Sequence, residues 1–519
     1  MVEAAPSRTE PTTASDHTIG KWWTLVAVSL GTFMLLLDIT IVNVALPDIQ
    51  RQLHSTFSDL QWVVDAYALT LAALLLTTGA LADMYGRRLL YCIGLVIFTA
   101  ASALCGAAQG SLMLELSRGL QGVGGAIMFA VSLALLAHAF RGKERGVAFG
   151  VWGAVTGIAV AIGPVLGGGL VSGLSWRWIF FVNLPIGVLA LVLTATRVEE
   201  SREGAARRPD WAGFVLFTAG LASLIYGLIE AGLRSFTDAR VLVCFALAVV
   251  LITGFLVVER LVRQPMFDMS LFRLPTFSGG AITAFGLSAS TFSMLLYLTL
   301  YIQDLLGYSP IATGLRLLIM SGGIFVVATV AGRLTSHVPI RLLIGPGLLL
   351  GGIALLLMRG LDASSSWTHL IPGLIVAGVG VGLINPPLAS TAVGVVEPHR
   401  AGMASGINST FRQVGIATGI ALLGTLFANQ VQSQVRDGLS GTPLASHADQ
   451  VSTALQNGQS SKLLHQLSPH QAQLVSHVAR ASFTSGLNHI LLVGAIISLV
   501  SGVAAFVLIR NKDLVQEHG

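Results

Sequence analysis

Charge is scarce in this sequence. Only 11% of its 519 residues are Asp, Glu, Lys or Arg, against 54% hydrophobic, and the mean hydropathy is +0.77. A soluble chain of this length needs far more charge to cover its surface, so a soluble enzyme or binding domain is excluded. Cysteine is scarcer still, with three residues. Cys92, Cys105 and Cys244 lie in apolar runs without pairing or metal-ligand spacing, and read as small buried hydrophobes. The first twenty residues are polar and lack a cleavage pattern, so the apolar run after Lys21 reads as a retained span rather than a signal peptide. The short alternating segments of a membrane β-barrel are missing too. The net charge of +5 and pI near 9.3 come from basic residues scattered over short loops, which implies no nucleic-acid partner.

What the chain does contain is a long series of apolar runs, each of about twenty residues and able to cross a bilayer as a helix. The expected fold is an all-α integral membrane protein. Fourteen transmembrane helices are predicted at 23–46, 60–82, 89–108, 112–138, 147–171, 177–196, 211–230, 240–259, 277–301, 311–333, 341–360, 369–393, 402–429 and 485–509. The 58 glycines suit packed membrane helices, whose backbones approach closely at small residues. With both termini inside, 19 of the 30 Lys and Arg fall on the cytoplasmic side, 8 outside, and Arg118, Arg316 and Arg412 within spans. That bias supports cytoplasmic termini.

The organisation that follows is a tail 1–20, a six-helix bundle 21–196, a linker with two inserted helices 197–276, a second six-helix bundle 277–510 and a tail 511–519. The linker is marked by Arg207-Arg208-Pro209. A long outer loop, 430–484, carries His447, His465, His470 and His477. No pair of these has metal-ligand spacing, so the loop reads as a solvated amphipathic segment. The two bundles repeat one another. At an offset of 253, Ile49-Gln50, Leu53, Gly79, Leu81 and Arg88-Leu89-Leu90 match Ile302-Gln303, Leu306, Gly332, Leu334 and Arg341-Leu342-Leu343. At 256, Gly146, Ala148, Gly150, Ala161, Gly163 and Gly168 match Gly402, Ala404, Gly406, Ala417, Gly419 and Gly424. Two such bundles, related by a pseudo-twofold and rocking about a midplane site, are a transporter architecture.

Charges inside spans are costly without a use. Asp38 lies roughly 12 Å from the outer end of its span, and Asp65 and Arg118 roughly 8–9 Å, at 1.5 Å per residue. Similar depth would let the three meet around a cavity, the carboxylates taking protons or facing a cationic substrate while Arg118 tunes them. Alternatively they form a structural ion pair. Arg412 is too deep to snorkel and is expected to line a cavity. Arg316 sits near the outer edge, and Glu115, Glu230 and Asp304 at span ends are expected to be wet. In the fifth span Gly150, Gly153, Gly157, Ala161, Pro164 and Gly168 follow at steps of three and four, a smooth face for another helix with a kink at Pro164. Between spans 2 and 3, Gly86 permits a tight turn, Arg87 and Arg88 anchor it inside, and Asp83 is placed to accept from an arginine or from a helix N-terminus of the other bundle.

The loop Gly79–Arg88, the stretch Arg118-Gly-Leu-Gln121-Gly122-Val-Gly124-Gly-Ala126 and the run Gly157…Gly163-Pro164…Gly167-Gly168 resemble the signature motifs of the major facilitator superfamily. Leu37-Asp38-Ile-Thr40-Ile-Val-Asn43-Val-Ala45-Leu-Pro47 and the fourteen spans resemble its fourteen-helix drug:proton antiporter branch. The resemblance covers most of residues 20–510. It implies proton-driven efflux of small amphipathic drugs or antibiotics by alternating access, with the proton as coupling ion and no other cofactor. It also implies a monomer working in a bacterial plasma membrane. From depth and charge, Asp38, Asp65 and Arg118 are the expected coupling residues; from the loop and the small-residue face, Asp83, Gly86, Arg87, Arg88, Gly157, Gly163, Pro164, Gly167 and Gly168 are the expected gating residues. Two departures stand out: Met84 where the family loop has a basic residue, and Ser336 opposite Asp83 in the second copy.

Other readings fare worse. A membrane enzyme would need a catalytic constellation at membrane depth, and only His138 and His489 border spans. Gly378-Val-Gly380-Val-Gly382 follows no strand and reads as packing rather than a phosphate loop. A non-transporting receptor gains nothing from the repeat. A proton-coupled importer remains the alternative within transporters.

Overall fold

A computed structural model describes residues 14–55, 57–201, 210–233, 235–262, 267–335, 337–397, 400–442, 444–456 and 468–513. Among the described residues, fourteen apolar helices lie at or near the expected positions. They are α1 (Ala14–Leu53), α2 (Phe57–Tyr85), α3 (Arg87–Gly106), α4 (Ser111–Ala139), α5 (Gly142–Gly173), α6 (Trp178–Arg197), α7 (Trp211–Leu233), α8 (Ala239–Leu261), α9 (Pro275–Gln303), α10 (Pro310–Leu334), α11 (Arg341–Leu357), α12 (Trp367–Gly394), α13 (Ala401–Leu439) and α14 (Pro469–Leu508). Twelve are long and apolar enough to span a membrane. The bent α5 makes a thirteenth, and α11, with 17 residues, is shorter than expected.

Each bundle buries its own core. Leu35, Tyr91, Phe98 and Phe129 pack inside α1–α6, and Leu287, Leu348, Ile384 and Leu491 inside α9–α14. The large apolar side chains left exposed, such as Val243, Val249 and Val250 on α8, face outward as lipid requires. The inserted α7 rests on both α2 and α13, so it touches each bundle.

The sequence repeat reappears as a pair of equivalent contacts between the bundles, both at the edge that carries the two termini. There α2 meets α13, where a Cβ on Gly402 would stand 2.5 Å from the Gly79 carbonyl oxygen, and one on Gly406 2.8 Å from that of Leu75. Symmetrically, α10 meets α5, where a Cβ on Gly332 would stand 2.7 Å from the Gly150 Cα and overlap the Gly146 carbonyl. Gly79 and Gly332 are repeat mates, as are Gly146 with Gly402 and Gly150 with Gly406. No side chain fits at either crossing, so both depend on glycine.

The outer loop is more helical than expected. Residues 430–439 continue α13 and 469–484 begin α14, with a short helix Ala448–Gln456 between them. Val431, Val435, Leu439, Val451, Val475 and Phe483 pack together as a cap beyond the membrane. The amphipathic spacing seen in the sequence is the signature of this packing rather than of a solvated segment. His465, Arg207, Arg208 and Ser336 lie outside the described residues.

Candidate functional site

Asp38 and Arg118 meet. Arg118 Nη1 donates to Asp38 Oδ2 at 2.5 Å, with the side chains 1% and 0% exposed. The pair is enclosed by further donors. Gln121 Nε2 and Asn183 Nδ2 both donate to Asp38 Oδ1, at 2.8 and 2.9 Å, and both reach Ser102 Oγ. Arg118 Nε donates to the Val63 carbonyl at 2.9 Å, and its guanidinium lies 4.3 Å from the Tyr67 ring centre. A buried pair is tolerated when its remaining lone pairs and protons are satisfied, and here five helices contribute to that. The cluster is sealed inside the first bundle, so Asp38 presents no free carboxylate to a cavity.

Asp65 does not join it. The Arg118 bond to Val63 fixes the rotation of α2, and two residues further on Asp65 faces away toward α7, within electrostatic reach of Glu230. Trp62 stacks on Tyr226 at 5.9 Å along the same contact. Glu230, expected to be wet, is 9% exposed and hydrogen-bonds Tyr226. Its partner helix, unpredictable from spacing, is what buries it. Arg316 lies at the outer edge against the rings of Tyr308 and Trp367, 3.6 and 4.8 Å from their centres.

At the terminal edge Asp83 gathers both kinds of partner foreseen for it. Its Oδ1 accepts from Arg87 Nε and Nη2, at 2.9 and 2.8 Å, and from the Gly402 amide at 3.0 Å. Its Oδ2 accepts from the Met403 amide at 2.9 Å. The first amides of α13 have no partner inside their own helix, and the helix dipole favours a negative charge there. Asp83 and Arg87 are 5% and 4% exposed. Gly86 takes φ +118°, which an L side chain rarely adopts, and this opens α3 directly after α2. Arg88 is held differently: it approaches Glu200 at 4.0 Å and donates to the Val198 carbonyl. Glu200 caps α3, accepting from the amides of Arg88 and Leu89 at 3.0 and 3.1 Å.

The glycines of α5 divide between two neighbours. Gly150, Gly153, Gly157 and Gly168 face the other bundle. A Cβ on Gly157 would meet Ile324 at 3.0 Å, and one on Gly168 would meet Ile311 at 2.7 Å. Gly163 and Gly167 instead admit Thr40 and Ile41 of α1. The helix bends by 42° between its parts Glu144–Val160 and Val165–Gly173, at Pro164, whose side chain lies outside the described residues. Arg412 is 8% exposed and donates from Nη2 to Asn385 Oδ1 of α12 at 3.1 Å.

Sequence reasoning missed Asn183 and Glu200. An asparagine within an apolar span was a usable signal for the first. Glu200 lay in a segment read only for its basic residues. No group of His, Cys, Asp and Glu fit to hold a metal occurs among the described residues.

The family model of the Major Facilitator Superfamily matches residues 28–420. The chain is 40% identical over 406 residues to the multidrug resistance protein Stp of Mycobacterium tuberculosis, covering 78% of this chain and 75% of that one. It is 31% identical over 510 residues to the tetracenomycin C resistance and export protein of Streptomyces glaucescens, covering 96% and 94%. Among solved structures, the human organic anion transporter MFSD10 shares the fold with a TM-score of 0.60 at 14% identity, over 92% of this chain and 99% of that one.

Proposed function

The chain belongs to the major facilitator superfamily and is a transporter, not an enzyme; we propose that it exports small amphipathic drugs or antibiotics in exchange for protons. The relatives named for multidrug resistance and for antibiotic export support the cargo. The observation that carries the coupling is the Asp38–Arg118 pair, sealed at membrane depth, with Asp38 Oδ1 accepting from two donors and Oδ2 from one. Protonating Asp38 removes the charge that holds Arg118, Gln121 and Asn183 in place, so one proton loosens contacts among α1, α4 and α6 together. Asp65, on the α7 side, is a second proton acceptor in this reading.

Alternating access then uses the terminal edge, which lies in the cytoplasm. The Asp83 bonds to α13 and the glycine crossings exist only while that edge is closed. The working unit is a monomer in a bacterial plasma membrane, with the proton as its only coupling ion. Export measured in inside-out vesicles, with and without a protonophore, tests the reading: collapse of the gradient stops uptake of drug into the vesicles. Uptake that survives the protonophore would return the assignment to another energy source, and drug movement in the opposite sense would favour an importer.

A further inference from the structure

The second bundle holds a cation at mid-depth with no carboxylate opposite. Arg412 stands 11 residues into α13, about 16 Å from the terminal edge at 1.5 Å per residue, near the middle of a hydrocarbon layer of roughly 30 Å. It is 8% exposed, and among the described residues its hydrogen-bond partner is the neutral Asn385 Oδ1 and no carboxylate lies within 4.0 Å of it. The first bundle cannot compensate it, because Asp38 is already committed to Arg118.

Three further groups point to a ligand there. Asn408 and Ser405 precede Arg412 at steps of four and three, and so lie on its face of α13. Asn408 Oδ1 and Ser405 Oγ are buried and without hydrogen-bond partners among the described residues. Asn385 sits on the seam between bundles, its Cβ 3.6 Å from where a Cβ on Gly153 of α5 would stand. A charged side chain in hydrocarbon is paired or borders a transport path. Its planar fork matches two anionic oxygens, which a lone asparagine does not replace.

We propose that Arg412, oriented by Asn385 and with the Ser405 hydroxyl beside it, receives the anionic oxygen group, carboxylate or phenolate, of a largely apolar aromatic cargo. This rests on the export reading and adds the charge of what is carried. The guanidinium supplies the counter-charge, the Ser405 hydroxyl donates to the anionic group, and Asn408 Oδ1 accepts from a hydroxyl or amine hydrogen elsewhere on the cargo. Asn385 orients Arg412 from α12, at the seam where rocking of the bundles would alter the site.

The test uses the full chain in nanodiscs and two xanthene dyes of similar shape, anionic fluorescein and cationic rhodamine 123, with binding read by fluorescence anisotropy. Wild type binds fluorescein at least about tenfold more tightly than rhodamine 123, the scale of one charge-assisted bond. Arg412→Gln removes that preference and leaves rhodamine 123 binding within about twofold, whereas Arg412→Lys keeps part of it. The milder Ser405→Ala/Asn408→Ala variant weakens fluorescein selectively and serves where Arg412→Gln does not assemble. Equal weakening of both dyes, or a wild-type preference for rhodamine 123, overturns the proposal. Export of fluorescein and of rhodamine 123 from cells separates the two readings. Export with no dye preference defeats this inference alone, and dye preference without export defeats the export reading alone.

Discussion

Asp83 Oδ2 accepts the Met403 amide at 2.9 Å, so a carboxylate of the first bundle caps a helix of the second. The bond spans 320 positions of sequence and lies at the edge that must part for cargo to enter from inside. Asp83→Asn keeps the shape and removes the charge. A charge-assisted bond exceeds a neutral one by about 1 kcal/mol, which shifts a two-state population roughly fivefold. The variant is expected to populate the inward-open state, to transport more slowly and to bind cargo as before. A cysteine placed at Ala404, in a background without Cys92, Cys105 and Cys244, reports the shift by maleimide labelling from the cytoplasmic side. Unchanged labelling and rate would leave Asp83 without a gating role.

The two glycine crossings predict a symmetric result. Gly332→Leu and Gly402→Leu each force a side chain onto facing backbone, at a cost of about 1–3 kcal/mol to the closed edge. Both are expected to slow export by similar factors, while Gly169→Leu, which meets nothing within 4 Å, leaves it intact. Export rates normalised to membrane-inserted protein decide this; a large effect at one crossing and none at its repeat mate would break the proposed symmetry.

Much of this was legible in the sequence, and the limits are geometric. Hydropathy located fourteen helices, and the offset series Gly79/Gly332 and Gly146/Gly402 marked residues that do cross between bundles. Depth can be counted along a helix, which is why Asp38 and Arg118 were placed at compatible levels. Azimuth cannot be counted without knowing how neighbouring helices rotate, so Asp65 was grouped with them although α2 turns it toward α7. Segments 430–439 and 469–484 look like loop in the sequence because their polar residues outweigh their apolar stripe; burial by one another makes them helical.

Outside the membrane, Asp268 gives a pH signature. Partial burial raises its carboxyl, but bonds from Ser270 and Arg400 outweigh that and hold it below the usual carboxylate range. A depressed folded value means stability present above the unfolded value of about 4 and lost as pH falls through the folded one. Asp268→Asn should lower the stability at pH 7 by less than about 1 kcal/mol, because the pair is partly hydrated, and with it the Tm slightly. The difference from wild type should shrink as pH falls below about 4. A gap that stays constant across that range would mean the charge of Asp268 does not contribute.

The Arg118 guanidinium imposes a condition on any test of Asp38. Asp38→Asn alone leaves a buried cation unanswered, a loss of about 3–5 kcal/mol. The double variant Asp38→Asn/Arg118→Met removes both charges and is expected to recover most of that stability without recovering coupling. Thermal unfolding of the single and double variants in detergent checks it; a double variant less stable than the single one would mean the polar cluster is not held by the pair.

Proton movement accompanying export in proteoliposomes of that double variant tests the central claim most directly, with a pH-sensitive dye inside and a spectrally distinct anionic aromatic dye as cargo. Wild type should release internal protons as cargo is exchanged, whereas the folded double variant should bind the cargo and move no protons. Proton exchange at the wild-type rate in the double variant would contradict the account, because coupling would then reside somewhere other than Asp38.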